Sequence, residues 1–437
     1  MKESYYNLYT PVNQGVLCFN TYSDTFAILP QSVYSALMKN KFSSLNPDKL
    51  EMLKNSHLII DDEIDEYKLL VEEYKRVEYS GIYYLTILPS LDCNVRCWYC
   101  FEKHIKGSHL TLQQQERIFK YAKQVLDRND INTLFITLFG GEPLLYFKEE
   151  VYPLLLRIKE YAESIDKYIT LSVTTNALCI DKTSVSLFAE FKTMFQISID
   201  GYRKKHNSVK RAPNIQNAYE IVMNAIHLLS DTYDAHINLR VNYDNQTLKH
   251  LPSLIKDIDD VDRSKIKIHL ERIWQTFPAK KTEGLTLADA INLLLSKDFC
   301  VTYLNFSRRN IACINDAKNG AIISYDGIVY KCTGRDFIEE LSEGTLSENG
   351  CIIWNESKVK KRQKIKTYDN PVCRVCKLLP QCWGPCSQKQ LENPENIIDL
   401  CPLKNMEITI DEYISYRFNN TYVCKQNYGD RFPIEFI

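Results

Sequence analysis

Neither sign of charge predominates in this chain: 54 lysines and arginines stand against 55 aspartates and glutamates, a formal net charge of −1. That balance leaves no electrostatic footprint for nucleic acid. No apolar run approaches the roughly 20 residues needed to cross a bilayer, so no helical membrane span is expected. The first eleven residues, MKESYYNLYTP, show neither the apolar core of a signal peptide nor an arginine-rich transit pattern. Internal repeats and low-complexity segments are absent as well. A cytoplasmic protein is expected, with no nucleic-acid and no membrane partner. Its 437 residues exceed one typical domain, so two or three domains are expected.

Cysteine, by contrast, is plentiful, with fifteen residues. Thiols stay reduced in the cytoplasm, and clustered spacings there indicate metal ligands rather than a disulfide framework. Cys18, Cys179, Cys300, Cys351 and Cys424 fall outside any cluster-like spacing and read as ordinary buried side chains. The remaining ten form two sets.

Hydrophobic patterning divides the chain into three stretches. Residues 1–80 show strand character at 5–9, 15–20 and 25–29, then helical patterns at 31–38 and 47–55, the second opening on a proline where a missing N–H costs little. From residue 81 to 276, strand-like runs at 83–89, 133–139, 169–174, 194–199, 236–242 and 266–270 alternate with helical patterns such as 112–128 and 218–229. Six such β/α repeats predict a parallel sheet curved into a partial (β/α)6 barrel. Reactive groups in such sheets gather at the carboxyl ends of the strands. Between 277 and 437 the alternation fades and cysteines become dense, and bound metal would supply folding free energy that a weak core does not.

The loop after the first of these strands reads Ser90-Leu-Asp-Cys-Asn-Val-Arg-Cys-Trp-Tyr-Cys-Phe-Glu102. Cys93, Cys97 and Cys100, spaced C-x3-C-x2-C, can hold three irons of a [4Fe–4S] cube and leave the fourth open to a small molecule; the same thiols would also suit part of a zinc site. The segment resembles the signature of radical S-adenosylmethionine (radical SAM) proteins. The resemblance implies that Tyr99 lies against the adenine of SAM and that Gly140, Gly141 and Glu142, ending the second strand, contact its methionyl amine. Paired glycines allow close backbone approach, and a carboxylate accepts hydrogen bonds from an ammonium. Thr175-Asn176-Ala177 stands where relatives carry Thr-Asn-Gly. Ser198 and Asp200 stand in an element similar to the family's S-(I/L)-D-G, which implies a carboxylate or ribose contact for Ser198 and a structural or ligand-facing role for Asp200. Beyond His206-Asn207, either Lys210 or Arg211 would pair with the SAM carboxylate; Arg211 is preferred because a guanidinium binds bidentately. Arg240-Val241-Asn242 also resembles a family element, while His269 and Glu271 read as a structural pair. The implied chemistry is reductive cleavage of SAM to a 5′-deoxyadenosyl radical that abstracts a substrate hydrogen, with the barrel positioning the substrate and excluding water.

The second set runs Cys313, Gly327, Cys332, then Cys373, Cys376, Cys382, Cys386 and Cys401. Its order resembles the seven-cysteine pattern of SPASM domains, C-x(9 to 15)-G-x4-C, gap, C-x2-C-x5-C-x3-C, gap, C; a zinc ribbon would need only four of these thiols. The resemblance implies two auxiliary [4Fe–4S] clusters, one on Cys373, Cys376, Cys382 and Cys401, the other on Cys313, Cys332 and Cys386. Cys300, Cys351 or a substrate side chain would complete the latter.

Radical SAM enzymes with SPASM extensions include anaerobic sulfatase-maturating enzymes and maturases of ribosomally made peptides. The former carry an acidic residue directly after the cysteine of G-x4-C, where this chain has Thr333, with Asp336 close by. The N-terminal stretch resembles, by layout, the winged-helix-like module with which maturases capture a leader peptide at a sheet edge. The expectation is a peptide maturase acting on a precursor peptide, by cross-linking such as thioether formation or by epimerisation. A flavodoxin- or ferredoxin-type protein would donate its electrons. Sulfatase maturation and a non-catalytic iron–sulfur scaffold or redox sensor are the alternatives.

Overall fold

In the computed structural model, which describes residues 1–77, 81–212, 214–233, 235–276, 285–304, 313 and 317–429, the chain forms two units. One draws on the described parts of Met1–Glu78, Leu304–Cys313 and Gln363–Ile437; the other on those of Tyr79–Tyr303 and Ile314–Arg362. The expected domain boundaries near residues 80 and 276 border stretches outside the described residues.

In the first unit, β1 (Lys2–Glu3) pairs antiparallel with β5 (Ile59–Ile60). Between them β2 (Asn7–Val12), β3 (Gly15–Asn20) and β4 (Thr25–Leu29) form an antiparallel meander. The first strand of the meander begins two residues later than the sequence predicts, because Tyr6 is drawn into the core. Helices Gln31–Met38 and Pro47–Asn55 follow as expected; Asn46 caps the second, its side chain accepting from the Lys49 amide. Cys18, Leu29, Val33, Leu37, Leu53 and Leu58 close one core beneath the meander. A second core joins segments far apart in sequence: Tyr6 and Leu70 pack with Tyr368, Cys373, Leu379 and Trp383. The N-terminal strands and the later cysteine segment thus share one hydrophobic interior, which burial of apolar surface stabilises.

The second unit is built on a sheet whose six expected strands are all present: β6 (Ile82–Leu88), β7 (Thr133–Leu138), β8 (Tyr168–Thr175), β9 (Thr193–Ile199), β10 (His236–Tyr243) and β11 (Ile266–Arg272). They lie parallel and in chain order. Two further parallel strands flank them, β12 (Cys300–Tyr303) beside β11 and β13 (Gly320–Ser324) beside β6. From β13 the sheet continues antiparallel through β14 (Ile328–Tyr330), β15 (Gly344–Leu346) and β16 (Ile352–Trp354). The expectation that regular structure gives way beyond residue 276 is therefore corrected; these strands have three to five residues, too few for their alternation to show. Burial alternates residue by residue along β7 and β9. One face packs under helices, and the other carries Thr137, Gln196 and Ser198 along a more accessible surface.

Candidate functional site

The loop after β6 carries Cys93, Cys97 and Cys100 and is fastened by polar contacts rather than by regular structure. Ser90 Oγ donates to the Ser108 carbonyl at 2.6 Å, and the Arg96 amide donates to the Arg211 carbonyl at 2.9 Å. The turn after β7 locks onto it: the Glu142 amide donates to the Asp92 carbonyl at 2.8 Å, and the Gly141 amide to Glu102 Oε2 at 2.6 Å. Gly141 has φ +44°, and a Cβ on it would stand 2.2 Å from the Asp92 oxygen. Only glycine lets the two loops approach this closely.

The Glu142 carboxylate is wholly buried and accepts from Thr175 Oγ1 (2.7 Å), the Asn176 amide (2.8 Å) and the Leu144 amide (3.1 Å). Burial raises its pKa against these three bonds. Asn176 turns its side-chain amide to Asn94 Oδ1 (2.7 Å) and the Cys93 sulfur (3.8 Å). Ala177 adopts φ +63°, the left-handed conformation in which its relatives' glycine would be unstrained.

At the ends of β9 and β10, Tyr99 donates its hydroxyl to Asp200 Oδ1 and accepts from Asn242 Nδ2 at 2.9 Å, while its carbonyl accepts from Gln275 Nε2 at 2.8 Å. His206 is buried, and its Nδ1 accepts from the Asp200 amide at 3.1 Å. Asp200 Oδ2 and His206 Nε2 are buried with no hydrogen-bond partner, an exception among buried polar atoms.

Lys210, rather than Arg211, enters this site. Its Nζ donates to Ser198 Oγ at 2.7 Å and lies 3.9 Å from Asp200 Oδ2. Burial works against its charge, but Cys97 foremost, then Asp200, Cys93 and Glu142, outweigh burial and raise its pKa above the ordinary lysine value. Arg211 is exposed and turns its Nε to the Ser208 carbonyl at 3.0 Å. The preference for guanidinium over ammonium rested on chemistry alone; the helix Arg203–Val209 ends where the backbone delivers residue 210 inward and residue 211 outward.

Burial pushes the Cys93 thiol up to about 12 and the Cys100 thiol up to about 11, and raises Cys97 as well. Cys97 lies within electrostatic reach of both the other thiols. Among the described residues no group of three or more Cys, His, Asp or Glu side chains closes round a single metal ion. Three thiols of one loop, the first of them buried, beside a buried cation, an unpartnered carboxylate oxygen and a glycine turn fit a cube with one open iron together with a zwitterionic ligand. Binding iron would release protons from these thiols.

Residues 87–258 match the model of the Radical SAM superfamily. The chain carries a radical SAM domain. Among curated proteins, GTP 3′,8-cyclase of Campylobacter lari is 28% identical over 296 residues, 65% of this chain and 82% of that protein. A cysteine-type anaerobic sulfatase-maturating enzyme of Clostridium novyi is 22% identical over 338 residues, 70% of this chain and 88% of that one. Among solved structures, native anSMEcpe with bound AdoMet and Kp18Cys peptide is similar with a TM-score of 0.54 at 18% identity, over 80% of this chain and 98% of that one. Streptococcus suis SuiB bound to precursor peptide SuiA gives 0.50 at 16% identity, over 91% of this chain and 98% of that one. These structural likenesses show the fold.

Two residues beside the cysteine loop had no signal in the sequence. Cys179, read as an isolated thiol, lies within electrostatic reach of Cys93 and Glu142 and accepts from Asn94 Nδ2 at 3.5 Å. His104 faces the Cys100 sulfur at 3.6 Å. Only the fold of the loop brings either of them there.

Of the second cysteine set, Cys373, Cys376, Cys382 and Cys401 lie within electrostatic reach of one another in the first unit. Asn370 caps the short helix Pro371–Arg374 by accepting from the Cys373 amide at 2.9 Å. Gly384, with φ +89°, brings the chain so near the Thr367 carbonyl that a Cβ would stand 2.1 Å from it. Cys386 is exposed, and Cys313 is half-buried in the first unit. Cys332 belongs to the second unit, where its sulfur accepts from the Gly334 amide at 3.3 Å. Cys300 and Cys424, expected as free thiols, are disulfide-bonded. Cys351 is an exposed thiol that donates to Gln124 Oε1 at 3.3 Å. Cys300 is therefore engaged away from the ligand role the sequence left open for it.

Proposed function

We propose that the protein is a radical SAM/SPASM enzyme that modifies a ribosomally made peptide. The observation that carries the reading is the convergence of Cys93, Cys97, Cys100, Glu142, Ser198 and Lys210 at the carboxyl ends of adjacent parallel strands. When bound there, a [4Fe–4S] cluster and SAM supply the one-electron chemistry that generates a 5′-deoxyadenosyl radical for hydrogen abstraction. Lys210, held on Ser198, neutralises the ligand's carboxylate. Gly140, Gly141 and Glu142 receive its amine, Tyr99 flanks the adenine, and the free oxygen of Asp200 accepts a ribose hydroxyl. Cys373, Cys376, Cys382 and Cys401 hold one auxiliary cluster, and Cys313, Cys332 and Cys386 serve a second. A flavodoxin- or ferredoxin-type protein reduces the enzyme.

A peptide substrate is supported by the solved relatives, since SuiB is bound to a precursor peptide and anSMEcpe to short peptides. The N-terminal meander offers the means of capture: among the described residues β4 pairs with β3 alone, leaving its outer edge for an added strand. Sulfatase maturation is favoured by the C. novyi relative. Against it, Thr333 follows Cys332, and Asp336 Oδ1 is engaged by the Lys103 amide (2.8 Å) and the Phe337 amide (2.9 Å) as a loop fastener. Among the described residues no helix is long and apolar enough to cross a membrane.

Anaerobic reconstitution, reduction and mass spectrometry of 5′-deoxyadenosine test the reading, with and without the peptide encoded beside the gene. Release stimulated by that peptide, with a mass loss on it, is expected. Stimulation by a sulfatase-derived peptide instead would favour the second reading, and an iron-replete protein that releases none would be a scaffold.

A further inference from the structure

Arg240 occupies the inner face of the sheet one pleat below Asn242. In the parallel register it pairs with Ser198 of β9 and with His269 of β11. Register partners share a face, so the guanidinium lies on the face that carries the Ser198 hydroxyl and the Lys210 ammonium. Two residues on, Asn242 reaches Tyr99 at 2.9 Å, which fixes that face as the one beneath the cysteine loop.

The guanidinium is half-buried and its Nε is buried with no hydrogen-bond partner. Among the described residues no carboxylate closes an ion pair with it. Glu271 is the acid within electrostatic reach, but its Oε2 is taken by His269 Nε2 at 3.1 Å. A buried N–H of a charged group left without an acceptor is costly unless something completes it. A planar fork of donors matches a carboxylate better than any other common group. In the reading proposed above, the cofactor's own carboxylate has a separate partner in Lys210, which lies among the thiols.

We propose that Arg240 docks a carboxylate of the substrate, the side chain of an aspartate or glutamate in the peptide, on the inner face beside Ser198. The inference rests on the peptide-modifying reading. It makes an acidic residue at or next to the modified position the feature that the enzyme selects.

The test compares two capped amino acids that differ only in the side chain, N-acetyl-glutamate N-methylamide and N-acetyl-glutamine N-methylamide. Their affinities for the reconstituted, SAM-loaded protein would be measured by ligand-observed NMR. Wild type is expected to prefer the acid by about tenfold or more, the value of a charge-assisted hydrogen bond. Arg240→Gln should erase the preference, and Arg240→Lys, which keeps the charge without the fork, should retain part of it. Equal affinities in wild type, or a preference that survives in Arg240→Gln, would overturn the proposal. So would a loss of SAM affinity in that variant with the acid preference intact, since the guanidinium would then serve the cofactor. An Arg240-dependent acid preference in a protein that modifies no peptide supports the site and removes only the peptide reading.

Discussion

Lys210 Nζ donates to Ser198 Oγ at 2.7 Å, and this bond places a buried cation between the cysteine loop and the end of β9. If that cation receives the carboxylate of SAM, Lys210→Met should lower SAM affinity by about ten- to a hundredfold, the range for a hydrogen bond to a charged group. Arg211→Ala, which removes an exposed guanidinium bonded only to a local carbonyl, should change it by no more than about twofold. Equilibrium dialysis with reconstituted protein of measured iron content decides between them; equal losses in both variants would contradict the assignment.

Gly141 can be separated from ordinary turn glycines. A methyl group on Gly141 would stand 2.2 Å from the Asp92 oxygen, whereas one on Gly107, at φ +74°, would meet nothing within 4 Å. Gly107→Ala should therefore cost only conformational strain, about 1–2 kcal/mol. Gly141→Ala adds a backbone collision and should cost at least about 2 kcal/mol more, as overpacking does. It should also part the two loops proposed to hold the cluster and SAM. Thermal unfolding and SAM binding measured together would show the first variant retaining binding and the second losing it.

The long strands were legible because their signals are local. Apolar runs of six to eight residues at β6 to β11 mark a buried sheet by themselves, and cysteine spacing needs no fold to be read. Arg211 was preferred to Lys210 on the chemistry of its guanidinium, and the structure turns Lys210 inward instead, because direction at a helix end depends on packing that no spacing encodes. Cys179 and Cys93 are 86 residues apart by their numbers, so their approach exists only in the tertiary structure. The shared core of Tyr6 with Cys373 and Trp383 is non-local for the same reason.

The two cysteine sets should load iron independently. Cys97→Ala removes the thiol that reaches both its neighbours electrostatically, and should abolish 5′-deoxyadenosine release while leaving the C-terminal iron bound. Cys373→Ala should remove iron from the other set and also lower the melting temperature, because Cys373 packs in a core with Tyr6, Leu70 and Trp383 and bound metal contributes folding free energy there. Iron quantitation with calorimetry on both variants checks this; retained SAM cleavage in Cys97→Ala would remove the assignment of that loop.

Acid should destabilise the fold through His206. Burial foremost, then the charge of Lys210, lowers its pKa from 6.5 to about 3. The Asp200 carboxylate, 3.9 Å from Nδ1, favours the protonated ring, but Nδ1 already accepts the Asp200 amide at 3.1 Å and a proton there would face that N–H. The unfolded chain therefore binds the proton more readily than the folded one. The stability from keeping the ring neutral is fully present above pH 6.5 and is lost as pH falls toward 3, at about 1.4 kcal/mol per pH unit. Denaturant midpoints between pH 7.5 and pH 5, a range set by the histidine titration, should fall with pH in wild type. They should fall less steeply in His206→Gln, whose amide accepts the same backbone N–H without titrating. Identical slopes in the two proteins would place the acid sensitivity elsewhere.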